Sequence, residues 1–407
     1  MAQIATSPRI PDELMVADFD FFAISVPDGD PALAWKVATE RLPPIFWTNQ
    51  NGGHWVATRA ADIETIQLDH ERFSMRYPAL PKGRRGMRTP PIDVDPPEHF
   101  GYRALISPAF SPKAVAAVEP TVREVIRKTI DRLEPQGECE FVKDVSHVVP
   151  ITVFLGMMDL PFEDADKLLP LSHLNTQAKE LETAQAAFGQ MADYMWRAVE
   201  DRRAHPRNDL LGQLIAGKIE GRPINDEELR GTCTLLLGGG LDTVASMLGF
   251  IARFLATHPE HRRQLVEQPK LVPRAVDELI RRHGVANTAR LVTRDFEFQG
   301  VPLREGDMIQ IPNCLYGLDE ARVDDPLRVD FNRPTPIPSA AFGNGPHRCP
   351  GMALARLEIR LFLEEWLPRI PDFHIKAGTI PVAAVATTNS MRELWLSWIP
   401  RGTNRSA

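Results

Sequence analysis

Residues Phe342-Gly343-Asn344-Gly345-Pro346-His347-Arg348-Cys349-Pro350-Gly351 hold one cysteine among three glycines and two prolines. Glycine reaches backbone angles closed to other residues, and proline fixes φ and donates no N–H. The expected product is a stiff loop that presents the Cys349 sulfur with few competing contacts. Met352 to Leu363 then follows an apolar helical pattern. Cys349 therefore precedes a helix N-terminus, where backbone N–H groups and the helix dipole favour thiolate over thiol. Such a sulfur could be a nucleophile, a zinc ligand, a haem ligand or an inert buried thiol. A structural zinc site needs four ligands, and no second Cys/His pair accompanies His347 and Cys349.

A second stretch constrains the fold as strongly. Asn225-Asp-Glu-Glu opens a helix with an N-cap and an acid three residues later, and the apolar pattern runs on to about His258, before Pro259. A helix of that length would cross the whole molecule. Its middle reads Leu235-Leu-Leu-Gly238-Gly239-Gly240-Leu241-Asp242-Thr243. Each interior glycine costs about 1 kcal/mol relative to alanine, so three together need a reason. Close helix packing is one; a groove for a flat cofactor or small ligand against bare backbone is the other. Thr243 alone would bond a carbonyl of its own helix.

Elsewhere, Ile45–Arg59 carries Asn51-Gly52 between apolar runs and predicts a β-hairpin. Ala60 to about His70, Pro120–Pro135 and much of Val149–His205 read as helices. Ala289–Pro312 and Ala383–Trp398 read as short strands and turns. Pro78–Pro91, with Lys82, Arg84, Arg85 and Arg88, reads as a solvated loop. Asp95-Pro-Pro-Glu98-His99 then opens a helix that puts His99 and Arg103 on one face. Glu278 and Arg281 sit three apart, an ordinary surface pair in isolation.

The chain has 407 residues, 43% hydrophobic and 25% charged, with a net charge of -7. That balance fits a globular protein and argues against nucleic-acid binding. Length alone would predict two or three domains. Four scattered cysteines, Cys139, Cys233, Cys314 and Cys349, suit a reducing cytoplasm. Residues 1–30 carry charges unlike a signal peptide or anchor, and no uninterrupted apolar run reaches the ~20 residues of a membrane span.

Phe342-Gly-x-Gly-x-His-x-Cys-x-Gly351 resembles the haem-binding loop of the cytochrome P450 family. The resemblance implies a mainly α fold with small β-sheets, a triangular helix-rich prism with haem b between the long helix and the cysteine loop. It implies one domain over residues 1–407, with a smaller β-rich N-terminal region. Cys349 would be the axial thiolate on haem iron, with Phe342 and Gly239 against the cofactor. His347, His99, Arg103 and Arg290 would meet the propionates. Gly239-Gly-Leu-Asp-Thr243 resembles the family's element over the distal haem face. There Thr243 would hydrogen-bond the oxygen ligand, and Asp242 would relay the protons that let the O–O bond break heterolytically. Glu278 and Arg281 would be buried and structural, with Arg328 completing their network. Pro350 departs from the leucine or isoleucine common in the family.

The resemblance covers nearly the whole chain and is nearest to soluble bacterial camphor-hydroxylating monooxygenases. It implies a monomeric, cytoplasmic enzyme that uses O2 and electrons from a [2Fe–2S] ferredoxin and its reductase. Arg103 and Arg348 would face that ferredoxin, and Phe100 stands where the camphor enzymes carry arginine. The substrate positions depart from the camphor pattern. Met87 replaces a tyrosine that holds the ketone, Gly238 and Ala286 are smaller than expected, and Thr288 replaces an acid. With Leu235 and Thr387 these would line a roomier, less polar pocket for a norisoprenoid such as ionone. A monoterpenoid, camphor or cineole, is the alternative. A haem-thiolate sensor or carrier is the non-enzyme alternative, but it would not need Asp242 and Thr243.

Overall fold

The long helix is set by its first turn. Asn225 Oδ1 accepts the Glu228 N–H at 3.0 Å, and the Glu228 carboxylate accepts the Asn225 N–H at 2.9 Å. This capping box starts Asp226–Thr257, whose 32 residues span about 48 Å. The computed structural model describes residues 10–400.

Nine helices position the site. They are α1 (Ala60–Leu68), α2 (His99–Ile106), α3 (Pro112–Leu133), α4 (Val148–Met157), α5 (Ala165–Gln177), α6 (Leu181–Ala204), α7 (Asp226–Thr257), α8 (Val272–Arg282) and α9 (Met352–Arg369). Helices α4, α5, α6 and α9 all pack on α7, and α3 packs on α9. By length and composition α7 could cross a membrane, but 67% of its most apolar stretch is buried in protein, as befits a core helix.

The hairpin read from Asn51-Gly52 forms, with β1 (Ile45–Thr48) antiparallel to β2 (His54–Ala57). Asn51 takes φ 54° and Gly52 φ 90°, the left-handed angles that favour this residue pair. With β3 (Phe73–Ser74), β4 (Asn287–Val292) and β5 (Met308–Pro312) these make a five-stranded sheet in the order β1-β2-β5-β4-β3. Only β5 and β2 run parallel. Two further stretches read as strand also form short pairs, at Phe296–Phe298 with Val301–Leu303 and Val382–Ala384 with Ser390–Glu393. The fold is thus mainly α with small sheets, as expected.

Buried side chains gather in three clusters. One joins α3, α8, α9 and the C-terminal half of α7, and a second fills the sheet side. The third lies between α4, α6 and the N-terminal half of α7.

Glu278 and Arg281 are fully buried and form a bidentate pair, both bonds 2.8 Å. The rest of the network differs from expectation. Arg328 is exposed and supplies only its carbonyl, to Arg281 Nη2 at 3.1 Å. The second guanidinium is that of Arg333, whose Nε lies 3.1 Å from Glu278 Oε1. A turn closed by the Arg333 N–H to the Asp330 carbonyl carries Arg333 back over the carboxylate. The sequence offers two arginines five residues apart and no sign of which one the turn returns.

The Pro78–Pro91 loop also departs from a solvated reading. Arg84 is buried, and its guanidinium donates to the carbonyls of Asn175 and Ala178 at 2.5 to 2.9 Å. It thereby caps the C-terminus of α5, where orphan carbonyls and the helix dipole favour a cation.

Removing one partner of a buried, paired charge costs about 3–5 kcal/mol. Arg281→Ala should lose that much in urea unfolding, with Arg333→Ala also clearly destabilised. Arg328→Ala should stay within about 0.5 kcal/mol of the parent, as an exposed side chain does. A large loss for Arg328→Ala with none for Arg333→Ala would reverse the assignment.

Candidate active site

Three of the four cysteines are buried, and burial pushes the Cys233 and Cys314 thiols up to about 12. Those are inert thiols. Cys349 differs: it is exposed. The Cys349 N–H donates to the Phe342 carbonyl at 2.9 Å and closes the loop, while Arg348 N–H bonds Gly345 O at 3.2 Å. Gly345 has φ +67°, and a Cβ there would stand 2.9 Å from the Gln67 carbonyl on α1. No other residue fits. Asn344 Nδ2 adds a 2.8 Å bond to Gln67 Oε1, and the Arg356 guanidinium covers the Phe342 ring at 4.9 Å.

Helix α9 begins three residues after Cys349. Burial pushes the thiol up, while the N–H groups of Gly351 and Met352 and the cations Arg103 and Arg356 pull it down. Pro350 therefore does not strip the sulfur of donors, because its two successors supply them. With no metal bound, burial prevails over the helix terminus; a bound metal ion would deprotonate the thiol.

The middle of α7 breaks an otherwise buried helix. Leu235, Gly238, Gly239, Gly240, Thr243 and Val244 are at least partly accessible, and Leu235, Gly239 and Thr243 follow one another at i, i+4 on one face. The three glycines separate by role. A Cβ on Gly240 would stand 2.9 Å from the Phe154 ring on α4, so this glycine serves helix packing. A Cβ on Gly238 would meet the Met191 methyl at 3.6 Å, which bounds the space there. Beside Gly239 nothing lies within 4 Å, so the bare backbone faces open room at this position.

Thr243 Oγ1 donates to the Gly239 carbonyl at 3.0 Å, leaving its lone pairs toward the accessible face. Asp242 is 2% exposed, and its Oδ2 accepts from Ser172 Oγ at 2.8 Å and Thr176 Oγ1 at 2.9 Å. Among the described residues its Oδ1 has no hydrogen-bond partner, and it lies 3.4 Å from His173 Nε2. Burial pushes this carboxyl up, against the pull of His173 and the two hydroxyls.

A second set of groups meets at the edge of the cysteine loop. The His99 and His347 rings are 4.4 Å apart, and His347 Nε2 lies 3.6 Å from Asp95 Oδ1. Asp95 is held in turn by Ser74 Oγ and by the Met75 N–H at 2.9 Å. His99 is pushed down to about 3 by burial, then by His347 and Arg103, and burial also lowers His347. Arg290 is buried beside them on β4 and donates to the Ala289 carbonyl at 2.9 Å and Thr288 Oγ1 at 3.4 Å. Among the described residues, buried His99 Nδ1 and His347 Nε2 have no hydrogen-bond partner. Two orphaned imidazole nitrogens beside the cations Arg103 and Arg290 suit a pair of carboxylates. Together with an exposed cysteine sulfur and bare backbone at Gly239, these residues fit haem.

The structure brings together most of the predicted site, but not all the substrate residues. Met87 lines a cleft of about 1200 Å³ with Tyr77, Arg84, Val94 and Pro97, which Leu235, Gly238, Ala286 and Thr387 do not line. Ala286 bridges Thr388, and Thr387 Oγ1 donates to the Thr176 carbonyl of α5 at 2.9 Å. Ser172, His173 and Thr176 around Asp242 escaped the sequence reading. Their signal was weak: polar residues at i, i+1 and i+4 on a helix read only for its periodicity. Glu358 also escaped it. This α9 carboxyl is buried, and burial pushes it up to about 8.

A stiff loop with an exposed cysteine, edged by imidazoles and cations, together with a glycine-bearing core helix, suits a haem-thiolate protein. A family model described as Cytochrome P450 matches residues 136–370. The chain is 34% identical over 414 residues to "Probable cytochrome P450 127A1" of Sinorhizobium fredii, across 97% of this chain and 98% of that protein. It is 29% identical to pentalenic acid synthase of Streptomyces avermitilis, covering 91% and 94%. The crystal structures of CYP101J2 and CYP101C1 both superpose with a TM-score of 0.87 at 35% identity. They cover 97% and 96% of this chain and 100% and 98% of theirs. The chain belongs to the cytochrome P450 family and its CYP101-like subgroup. It is a bacterial-type monooxygenase that binds haem b through the cysteine thiolate.

Two outcomes follow from the buried geometry. In the haem-free protein, Gly239→Ala should match or exceed the parent's stability by up to about 1 kcal/mol, through helix propensity. Gly240→Ala should fall about 1–3 kcal/mol below Gly239→Ala, because its Cβ meets Phe154. Urea unfolding of the two variants side by side measures the difference.

Glu358 predicts a pH slope. Its folded value of about 8 exceeds the ordinary 4.5, so between those values the folded state keeps a proton the unfolded state loses. Stability should fall as pH rises through that window, by on the order of a few kcal/mol, and level off above it. Glu358→Gln should flatten that slope in melts taken from pH 5 to 9.

Proposed function

We propose that this protein hydroxylates an unactivated C–H bond of a compact terpenoid, a norisoprenoid such as ionone, with O2 and two electrons from a [2Fe–2S] ferredoxin and its reductase. The observation that carries the hydroxylase reading is the break in α7, where Thr243 is accessible and the next residue back, Asp242, is a buried carboxyl. When bound, haem supplies reductive activation of O2, so that one oxygen atom enters the substrate and the other leaves as water.

The chain's residues do the rest. Cys349 would hold the iron, with Phe342 and Gly239 against the cofactor. Arg103, Arg290, His99 and His347 would take its propionates, which would satisfy the two orphaned ring nitrogens. Burial pushes the Asp242 carboxyl up toward its protonated form, and Oδ1, without a hydrogen-bond partner among the described residues, is the oxygen left open to proton exchange. Thr243 Oγ1 passes protons from that carboxyl, through water, to the accessible face. Glu278, Arg281 and Arg333 hold the loop segments in place.

The substrate class rests on the residues above the bare backbone. Leu235, Gly238 and the neighbouring Met191 offer no hydroxyl to hold a ketone, and Thr387 spends its hydroxyl on α5. Thioethers and aliphatic carbons adapt to a larger apolar skeleton. The ferredoxin reading rests on Arg103 and exposed Arg348 by the cysteine loop, together with Phe100, which is 56% exposed. Cations there complement an acidic partner.

Optical titration of the ferric protein with camphor, cineole and β-ionone should show a low- to high-spin shift largest for ionone. A full shift with camphor alone would replace the norisoprenoid by a monoterpenoid. Asp242→Asn should slow turnover by about 10²-fold. Thr243→Ala should divert reducing equivalents to hydrogen peroxide, and unchanged coupling would remove the relay. A ferrous–CO spectrum without the thiolate red shift would remove Cys349 from the iron.

A further inference from the structure

Helices α4, α5 and α7 bring three ligating atoms to one point outside the haem residues. His147 precedes α4, His173 lies on α5, and Asp242 on α7. His147 Nε2 and His173 Nε2 are 3.1 Å apart, and His173 Nε2 is 3.4 Å from Asp242 Oδ1. All three atoms lie within 4.8 Å of one another. One imidazole proton cannot satisfy this arrangement. If His173 Nε2–H points to His147, Asp242 Oδ1 is left bare; if it points to Asp242, His147 Nε2 is.

We infer that His147, His173 and Asp242 form a site for a divalent cation of the zinc type, and that the cation inhibits turnover by occupying the Asp242 oxygen. Ligands about 2.0–2.1 Å from a tetrahedral ion lie about 3.3–3.4 Å apart, close to the two separations observed. Two imidazoles and one carboxylate are a common zinc set that leaves a fourth position for water. The carboxylate is 2% exposed, its Oδ1 lacks a hydrogen-bond partner, and Ser172 and Thr176 fix the other oxygen so that Oδ1 faces the imidazoles. Such support orients a ligand before the metal arrives. His147 is buried, and its Nε2 faces His173 Nε2 rather than solvent. His173 is 40% exposed and provides the path by which the ion enters from solvent.

Binding holds Asp242 Oδ1 on the ion as a carboxylate oxygen, so that oxygen no longer exchanges protons. The inhibition rests on the relay proposed above; the binding does not. The test uses the chelator-treated, haem-loaded ferric protein and zinc chloride alone, by calorimetry and by competition with a chromophoric chelator. One zinc should bind per chain at micromolar concentration or tighter, and His147→Ala and His173→Asn should each weaken it by at least 10-fold. His173 is partly exposed, so His173→Asn is the variant expected to keep its fold, checked by its haem spectrum. Turnover should then slow with zinc in the parent, with more hydrogen peroxide per electron pair, and not in His173→Asn relative to its own metal-free rate. No binding, or binding untouched by His173→Asn, overturns the site. Histidine-dependent binding with unaltered turnover upholds the site, overturns the inhibition and removes Asp242 from proton delivery.

Discussion

The carboxylate of Glu278 has no water around it, and the way the chain satisfies it organises the segment leading to the cysteine loop. It takes two bonds from Arg281, one from Arg333 and one from the Asp330 N–H. Arg281 spends its remaining donors on the carbonyls of Gly317, Pro326 and Arg328. An irregular stretch of chain, with no sheet or helix to pair its carbonyls, is thereby pinned to α8. A buried ion pair contributes little net stability on its own, but a fully satisfied one specifies a single arrangement. That arrangement fixes the path of the chain at Asp330 and Arg333, a few residues before Phe342 and the Cys349 loop.

The core itself combines two opposite demands. Helix α7 must bury its apolar surface to hold α4, α5, α6 and α9 together, yet its middle must stay bare. The glycines reconcile these demands by dividing the work. Gly240 lets Phe154 close in, while Gly239 leaves backbone facing open space. Polar groups follow the same logic. Asp242 is out of solvent and is held by hydroxyls rather than cations, so burial raises its carboxyl. Thr243, one residue on, points its hydroxyl at the helix backbone and its lone pairs at the accessible face. The contrast between neighbours is what makes this position suited to moving protons. The imidazoles beside Asp242 place a second chemistry at the same carboxylate.

Much of this was legible in the chain. The cysteine loop, the capping box on α7, the Asn51-Gly52 hairpin and the helix opened at Asp95-Pro-Pro are local patterns, and all four formed. Among the site residues drawn from the family resemblance, His347, His99, Arg103 and Arg290 gather at the edge of the loop that carries Cys349. The errors have a common cause. Arg328 and Arg333 are five residues apart, and only the turn between them decides which guanidinium meets Glu278. Arg84 read as solvated because nothing in its own loop shows that α5 ends beneath it. Met87 was grouped with Leu235 and Gly238 by alignment, whereas the fold places it in a separate cleft lining.

The amino-acid sequence by itself determined the stiffness of the cysteine loop, the start and length of α7 and the bare backbone at its centre. These depend on φ, on capping and on side-chain absence, which act over a few residues. Tertiary structure alone decided which polar groups face one another. Ser172, Thr176 and His173 reach Asp242 from a different helix, 66 to 70 positions away in the first two cases. No local periodicity encodes such a meeting. It arises because burying α5 against α7 leaves each buried oxygen to find its donor among whatever the packing brings within 3 Å, since an unpaired one is costly.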